Sequence, residues 1–303
     1  MSIVDWSKLT WTEPPVMGRT ELRDFKRGID GSFRDFSREY GEALEAFFYP
    51  LLRFLAWLQD LLLATPWPLM LVLLGLFAWV GSRSWKMVAG TVACFLLIGW
   101  LDMWEDTMAT LAIVSVATIL CIAIGIPVGI WMARSNRVQA AILPILDIMQ
   151  TIPSFVYLIP VVMLLGIGKV PGLIAVMIYA IPPIVRLTNL GIRLVDSEVL
   201  EAADAFGASR RERLWGVQIP LALPNIFAGV NQTIMMSLSM VVVASMIGVP
   251  GLGVPVLRAV TNQYLALGLM NGLAIVAIAI IFDRVSQSFG KRLQKHREGG
   301  HGV

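Results

Sequence analysis

The side chains that carry most enzyme chemistry are few in this chain and follow no recognised catalytic pattern. His296 and His301 lie near the C-terminus, and Cys94 and Cys121 lie in separate apolar segments. The sequence contains no phosphate-binding loop G-x-x-x-x-G-K-[ST], no H-E-x-x-H zinc motif and no G-x-S-x-G nucleophile motif. We therefore predict no catalytic residue, no metal site and no cofactor, and the chain is not expected to be an enzyme.

One polar segment, residues 191–221, has residue types suited to pairing with another protein. Its first half is acidic and alanine-rich, and its second half is rich in arginine. A short alanine-rich helix exposes little bulk and fits a groove on a partner, with Glu201 and Asp204 available for charge pairing. Because a loop that only reverses the chain needs fewer residues, this segment predicts a docking site.

The same segment predicts two short helices joined at a glycine. Asp196 or Ser197 caps the first helix, which Gly207 ends. Ser209 caps a second, arginine-rich helix, which Pro220 is expected to stop before the next apolar run.

The rest of the chain has the composition of a membrane protein. Apolar residues make up 57% of the sequence, charged residues make up 15%, and the mean hydropathy is +0.73. Soluble domains have about 25% charged residues, whereas residues 107–132 and 221–257 of this chain have none. This pattern predicts an all-α, polytopic membrane protein.

The apolar runs predict about seven transmembrane helices within a domain over residues 66–285. The predicted spans are about 66–82, 85–101, 107–132, 141–165, 171–190, 222–248 and 266–283.

The flanking regions differ from this domain. Residues 1–41 predict a loosely structured polar tail, and residues 286–303 predict a basic tail. Residues 42–64 have an apolar face and a charged face that includes Arg53 and Asp60. This pattern favours an amphipathic helix in the membrane interface over an additional span.

The basic residues indicate how the chain is oriented in the membrane. They cluster in alternate loops and after the last span, which is the arrangement expected of cytoplasmic loops. The N-terminus is then outside the cell inner membrane and the C-terminus is cytoplasmic. The net charge of +3 is explained in this way, so no nucleic-acid partner is expected, whereas the basic tail could touch anionic membrane lipid.

Polar residues inside the predicted spans have two interpretations. They line a path for a polar solute, or they form hydrogen bonds between helices. The candidates for the path are Gln150, Ser154, Tyr157, Asn231, Gln232 and Ser237.

Two charged residues, Asp147 and Arg186, lie at similar depth in the fourth and fifth spans. We predict that they face each other, either as a gate or as a structural pair.

The sequence resembles the permeases of binding-protein-dependent ABC importers. The similarity is carried by Glu201-Ala202-Ala203, by Gly207, and by Val217-Gln218-Ile219-Pro220, which together are similar to the EAA loop of that family. The longer runs LDIMQTIPSFVYLIPVVMLLGIGKVPG (146–172) and LPNIFAGVNQTIMMSLSMVVVASMIG (223–248) are similar to the glycine betaine/proline betaine branch.

The resemblance implies the type I ABC importer permease fold and an ATP-driven mechanism. Glu201, Ala202, Ala203, Asp204, Gly207 and Pro220 would couple the permease to its ATPase. The implied partners are a second permease copy, two cytoplasmic ATPase subunits that bind the ATP, and a separate periplasmic solute-binding protein. Choline, carnitine or trimethylamine N-oxide are alternative substrates, and a stand-alone ion-coupled transporter or channel is the alternative of another class.

Overall fold

A computed structural model describes residues 17–298, so residues 1–16 and 299–303 of the two predicted tails lie outside the described residues. The described part is almost entirely helical and contains no strand. Its helices are α1 (Arg19–Ala64), α2 (Trp67–Ser82), α3 (Trp85–Trp100), α4 (Trp104–Arg134), α5 (Asn136–Thr151), α6 (Leu158–Leu165), α7 (Lys169–Arg193), α8 (Ser197–Ala205), α9 (Arg210–Glu212), α10 (Ile219–Ala244), α11 (Gly253–Asn262) and α12 (Leu265–Glu298).

The all-α membrane architecture predicted from the sequence is confirmed, but its spans differ in length. In the described residues, five helical stretches are long and apolar enough to cross a membrane, and a bent pair would make a sixth. Those five are Arg19–Ala64, Trp104–Arg134, Lys169–Arg193, Arg210–Ile247 and Leu265–Gly290. The first two predicted spans form helices of 16 residues each. At 1.5 Å per residue such a helix is about 24 Å long, shorter than the hydrocarbon layer.

The predicted polar tail is helical from Arg19 onward, so a loosely structured tail is wrong for these residues. A single helix, α1, runs for 46 residues and continues through Pro50. Apolar residues such as Phe25 and Ile29 recur at helical spacing, and this amphipathic pattern outweighs the helix-weakening effect of Gly28 and Gly31. The predicted interfacial helix is therefore the second half of a longer helix.

Helix α1 packs along one side of the bundle. The Ser37 hydroxyl donates to the Met163 carbonyl at 2.6 Å, and Lys169 Nζ donates to Gln59 Oε1 at 2.7 Å. These contacts are far apart on α1, yet both reach the short segment 163–169. Between these contacts, Phe47 and Phe54 line a cavity together with Ile124 of α4 and Ile181 of α7, so the helix covers the flank of α4 and α7 as well as the turn between α6 and α7.

The predicted span 141–165 is not one helix. It comprises α5 and α6, which meet at an angle of 107° around a short 3₁₀ turn, Ser154–Tyr157. Pro153 cannot donate a backbone hydrogen bond, so it favours the break. The Tyr157 hydroxyl lies at this corner and shares its one hydrogen between the carbonyls of Met149 and Ile152.

The centre of the bundle is formed by α4, α7 and α10. A Cβ atom on Gly125 would lie 2.4 Å from Cγ2 of Ile184, and one on Gly129 would lie 2.6 Å from Cβ of Thr188. These glycines therefore allow α4 and α7 to approach more closely than any larger residue would. The surrounding side chains are apolar and buried, and they include Leu173, Ala180 and Val241 at 0% exposure.

The bundle has two distinct ends. At one end the backbone N–H of Gly168 donates to the carbonyl of Ile247 at 3.0 Å, and Leu252 N–H donates to Thr110 Oγ1 at 2.9 Å. The other end carries α8 and α9, and we call residues 196–218 there the hairpin. The long helices connect the two ends, and the hairpin lies between α7 and α10 in the chain.

The last helix also exceeds its predicted span. Helix α12 continues to Glu298, through most of the segment predicted as a basic tail. The helix is supported at this end by Phe289, whose ring packs edge-to-face on that of Phe227 with centroids 5.4 Å apart. An additional helix, α11, occupies residues predicted as a loop.

Candidate functional site

The first half of the hairpin is a short helix whose ends are both fixed by local chemistry. Asp196 caps α8 because its carboxylate accepts from the backbone N–H of Glu198 at 2.9 Å. At the other end Gly207 adopts a φ of +81°, a conformation that favours glycine. The N–H of Ala208 then reaches the carbonyl of Ala203 at 3.0 Å, which closes the helix.

The second half of the hairpin begins with a reciprocal cap. Ser209 Oγ accepts from the Glu212 N–H at 3.3 Å, and the Glu212 carboxylate accepts from the Ser209 N–H at 2.8 Å. Hydrogen bonds from the Ser209 side chain and backbone lower the pKa of Glu212. Because that pKa is lowered, the cap is complete at neutral pH and weakens only as the pH falls through the lowered value.

Pro220 does not end this helix, contrary to the sequence prediction. The chain continues from α9 through a π-helical turn, Arg213–Gln218, directly into α10, where Pro220 occupies the first turn. Proline removes one hydrogen bond to the preceding turn, and that preceding turn is the π-helical one, where the regular α-helical bonding is already altered. The hairpin is therefore joined to α10 by unbroken helix.

A salt bridge ties the two halves of the hairpin together. Arg213 Nη1 lies 2.6 Å from Asp204 Oδ2, with both side chains partly exposed. Asp204, which the sequence suggested for pairing with a partner, is thus paired within the chain. Glu201 remains exposed and has no ion pair in the described part of the chain.

The outer face of α8 is apolar and uncovered. Val199, Ala202 and Phe206 are spaced i, i+3 and i+7 and so share one face. Phe206 is 92% exposed and Val199 is 41% exposed. The sequence analysis missed Phe206, although a single aromatic residue in a polar segment was a visible signal. An aromatic side chain held in solvent on a braced helix is suited to inserting into another protein.

The structure brings Asp147 and Arg186 together, as their matching depth suggested. Arg186 Nη2 lies 2.5 Å from Asp147 Oδ1, and the two side chains are 34% and 60% exposed respectively. The pair joins α5 to α7 on the hairpin side of the bend.

The six candidate path residues occupy different environments. Gln150 and Gln232 are exposed, and Ser154 is partly exposed. The remaining three are Tyr157, which is buried at the corner between α5 and α6, Ser237, which has no exposure, and Asn231, whose amide donates to Asp283 Oδ1 at 2.6 Å. The structure therefore does not gather all six along one surface.

Comparison with known proteins identifies the family. Residues 125–295, which contain the bent pair, the hairpin and most of α12, match the family described as "Binding-protein-dependent transport system inner membrane component". This chain belongs to that family. In the permease the matched region thus includes every residue predicted for coupling.

Individual relatives extend the match along the permease. The chain is 50% identical over 233 residues to the glycine betaine/proline betaine transport system permease protein ProW of Escherichia coli, covering 77% of this chain and 66% of ProW. It is 43% identical to the glycine betaine/carnitine transport permease protein GbuB of Listeria monocytogenes, covering 93% and 95% of the two chains. A trimethylamine N-oxide permease, TmoV of Ruegeria pomeroyi, is less similar at 36%.

The fold has counterparts among solved structures. An inward-facing structure of the MetNI methionine ABC transporter aligns with a TM-score of 0.57 at 19% identity, covering 65% of the permease and 97% of that chain. At this identity the match describes the fold, which is that of type I ABC importer permeases.

Proposed function

We propose that this permease is the membrane subunit of an ATP-driven importer for glycine betaine, proline betaine or a related quaternary amine. ProW and GbuB, whose names refer to glycine betaine, are more similar to the chain than TmoV is. Choline, carnitine and trimethylamine N-oxide are the competing solutes. The importer would comprise two permease copies, two ATPase subunits and a periplasmic binding protein.

The observation that carries this proposal is the uncovered apolar face of the hairpin. Phe206 lies at the C-terminal end of α8, which Asp196 and Gly207 cap and which the Arg213–Asp204 salt bridge ties to the second half of the hairpin. Because Phe206 is 92% exposed, its side chain contributes almost no burial of apolar surface to the stability of the isolated chain. A cytoplasmic ATPase with an apolar groove would cover it, and Glu201 would lie at the rim of that contact.

The distribution of charge supports a cytoplasmic hairpin. The hairpin end of the bundle carries Arg83, Lys86, Arg134, Arg137, Arg186, Arg193, Arg210, Arg211, Arg213 and Arg284. Apart from α1, in which seven basic residues are accompanied by eight acidic ones, the opposite end carries Asp102, Glu105, Asp106, Lys169 and Arg258. Positive residues are retained on the cytoplasmic side, so the C-terminus is inside. With α1 as a helix that does not cross the membrane, the seven predicted spans then place the N-terminus outside.

Transport would follow from movement of the two hairpins in a dimer. ATP stabilises the closed ATPase pair, which draws the hairpins together, and hydrolysis releases them. Because each hairpin continues into α10, this displacement tilts the spans and exchanges inward-open for outward-open states. Gln150 and Gln232, which are exposed, and Ser154, which is partly exposed, would line the path between the two copies.

Docking is tested by changing the apolar face alone. Phe206→Ala is expected to weaken association with the ATPase by about 2 kcal/mol or more, as truncation of a buried aromatic anchor does. Co-purification and titration of the ATPase onto the detergent-solubilised permease measure this loss. Tyr264→Ala, a 60% exposed aromatic at the opposite end, is the matched control. Equal ATPase binding by wild type and Phe206→Ala would refute docking through this face.

The substrate is tested separately by uptake. Vesicles that contain the complete importer should take up labelled glycine betaine faster than labelled carnitine, choline or trimethylamine N-oxide. A higher initial rate for one of those three solutes would reassign the substrate while leaving the docking result unchanged.

A further inference from the structure

Arg193, the last residue of α7, forms three side-chain hydrogen bonds, of which one stays within α7 and two reach α4 and α5. Its Nη1 donates to Asn136 Oδ1 at 2.8 Å, its Nη2 donates to the Met132 carbonyl at 2.8 Å, and its Nε donates to Asn189 Oδ1 at 3.0 Å. We call Arg193 with Met132, Asn136 and Asn189 the Arg193 clamp. The clamp links the end of α4, the start of α5 and the last two turns of α7.

The clamp occupies a well-packed position immediately before the hairpin. Met132 has no exposure and Asn189 is 5% exposed, so two of the three acceptors are fixed by packing. The guanidinium also lies at the C-terminal ends of α4 and α7, where a positive charge is favoured by the helix dipoles. Only two residues separate Arg193 from Asp196, the cap of α8.

The hairpin is thus attached to the bundle in two different ways. Its C-terminal side continues as helix into α10, whereas its N-terminal side is held at the clamp. Through Asn136 the clamp also reaches α5, the helix that leads to the 107° bend and to Gln150. Without the clamp, the polar link that remains between α7 and α5 is the Asp147–Arg186 salt bridge, which lies about two turns farther from the hairpin.

We propose that Arg193 is a positioning residue that transmits displacement of the hairpin to α4 and α5, and so to the bent pair. The proposal rests on the proposed ATP-driven function for its role in transport. The planar guanidinium suits this task because it holds three acceptors in fixed directions, which a lysine ammonium does not. Arg193 therefore contributes through geometry and not through charge alone.

The first experiment measures solute transported per ATP hydrolysed by the complete importer in vesicles. Arg193→Gln and Arg193→Lys should retain ATP hydrolysis near the wild-type rate but lower this ratio about tenfold or more, since hydrogen bonds to a charged group are lost. Asn136→Ala, which removes one bond, should lower it less. Arg137→Gln, at an exposed neighbouring arginine with no hydrogen bond or ion pair in the described residues, is the control. An unchanged ratio in Arg193→Gln and Asn136→Ala overturns the proposal.

The second experiment requires neither ATP nor transport. Spin labels on cysteines at Ala140 of α5 and Ala202 of α8, both exposed, report the distance between the two helices in a background lacking Cys94 and Cys121. Arg193→Gln should broaden the distance distribution, and Arg137→Gln should not. If the distribution of label-to-label distances in Arg193→Gln equals that of the wild type, the proposed role of the clamp is refuted.

The two experiments distinguish failure of the clamp from failure of the proposed function. A distribution that broadens in a protein whose uptake needs no ATP supports the clamp and refutes ATP-driven import. Should Arg193→Gln fail to fold, Asn136→Ala carries both measurements, because it alters an exposed side chain and leaves two of the three bonds. A distribution as narrow as that of the wild type in Asn136→Ala then counts against the proposal.

Discussion

At the scale of single residues, the Asp147–Arg186 salt bridge has either a structural role or a gating role, and one variant decides between them. The two side chains are partly exposed, so their salt bridge contributes about 0–1 kcal/mol to stability. We predict that Asp147→Asn lowers the thermal stability of the purified permease only slightly.

Transport by the same variant decides which role applies. A gate requires that uptake falls in Asp147→Asn and recovers in the double variant Asp147→Arg with Arg186→Asp, in which the two charges are exchanged. If Asp147→Asn assembles and transports as the wild type does, the gating role is excluded and the pair is structural.

At the scale of helices, the close approach of α4 and α7 depends on Gly129. An added methyl group would meet Thr188 Cβ at 2.6 Å and the Val185 carbonyl oxygen at 2.8 Å. We predict that Gly129→Ala destabilises the permease by about 1–3 kcal/mol, the usual cost of overpacking.

Thermal unfolding in detergent measures this effect against Gly90→Ala. Gly90 lies on α3, where an added methyl group would meet no atom of another helix within 4 Å, so alanine there should be neutral or mildly stabilising. Equal melting temperatures for the two variants would show that α4 and α7 do not need their present spacing.

Features set by local chemistry were predictable from the sequence, and those set by distant contacts were not. Asp196, Gly207 and Ser209 occupy the capping positions that their residue types indicate. The break near Pro153 was missed because prolines such as Pro127 and Pro224 lie inside continuous helices. A proline in the sequence therefore does not predict a bend by itself, because the bend also depends on the residues that pack around it.

The same limit applies to the candidate site. Exposure of Phe206 and the internal pairing of Asp204 depend on where α8 lies relative to the π-helical turn. The Arg193 clamp joins residues from three parts of the chain. Apolar periodicity predicts that such helices exist but not which polar groups meet between them.

At the scale of the whole molecule, the two ends of the bundle should face opposite sides of the membrane. In a background lacking Cys94 and Cys121, a cysteine at Ala202 should react with a membrane-impermeant thiol reagent only in inside-out vesicles. A cysteine at Thr261, exposed on α11 at the opposite end, should react only in right-side-out vesicles. The reverse pattern would place the hairpin outside and remove the basis for ATPase docking.

The most direct test of ATP-driven import is uptake by purified components. Vesicles containing the permease should accumulate labelled glycine betaine only when the ATPase subunit, its ATP and the solute-binding protein are all supplied. Uptake should stop when the ATPase is inactivated or ATP is replaced by a non-hydrolysable analogue. Accumulation at the same rate by vesicles that contain the permease alone would contradict the account.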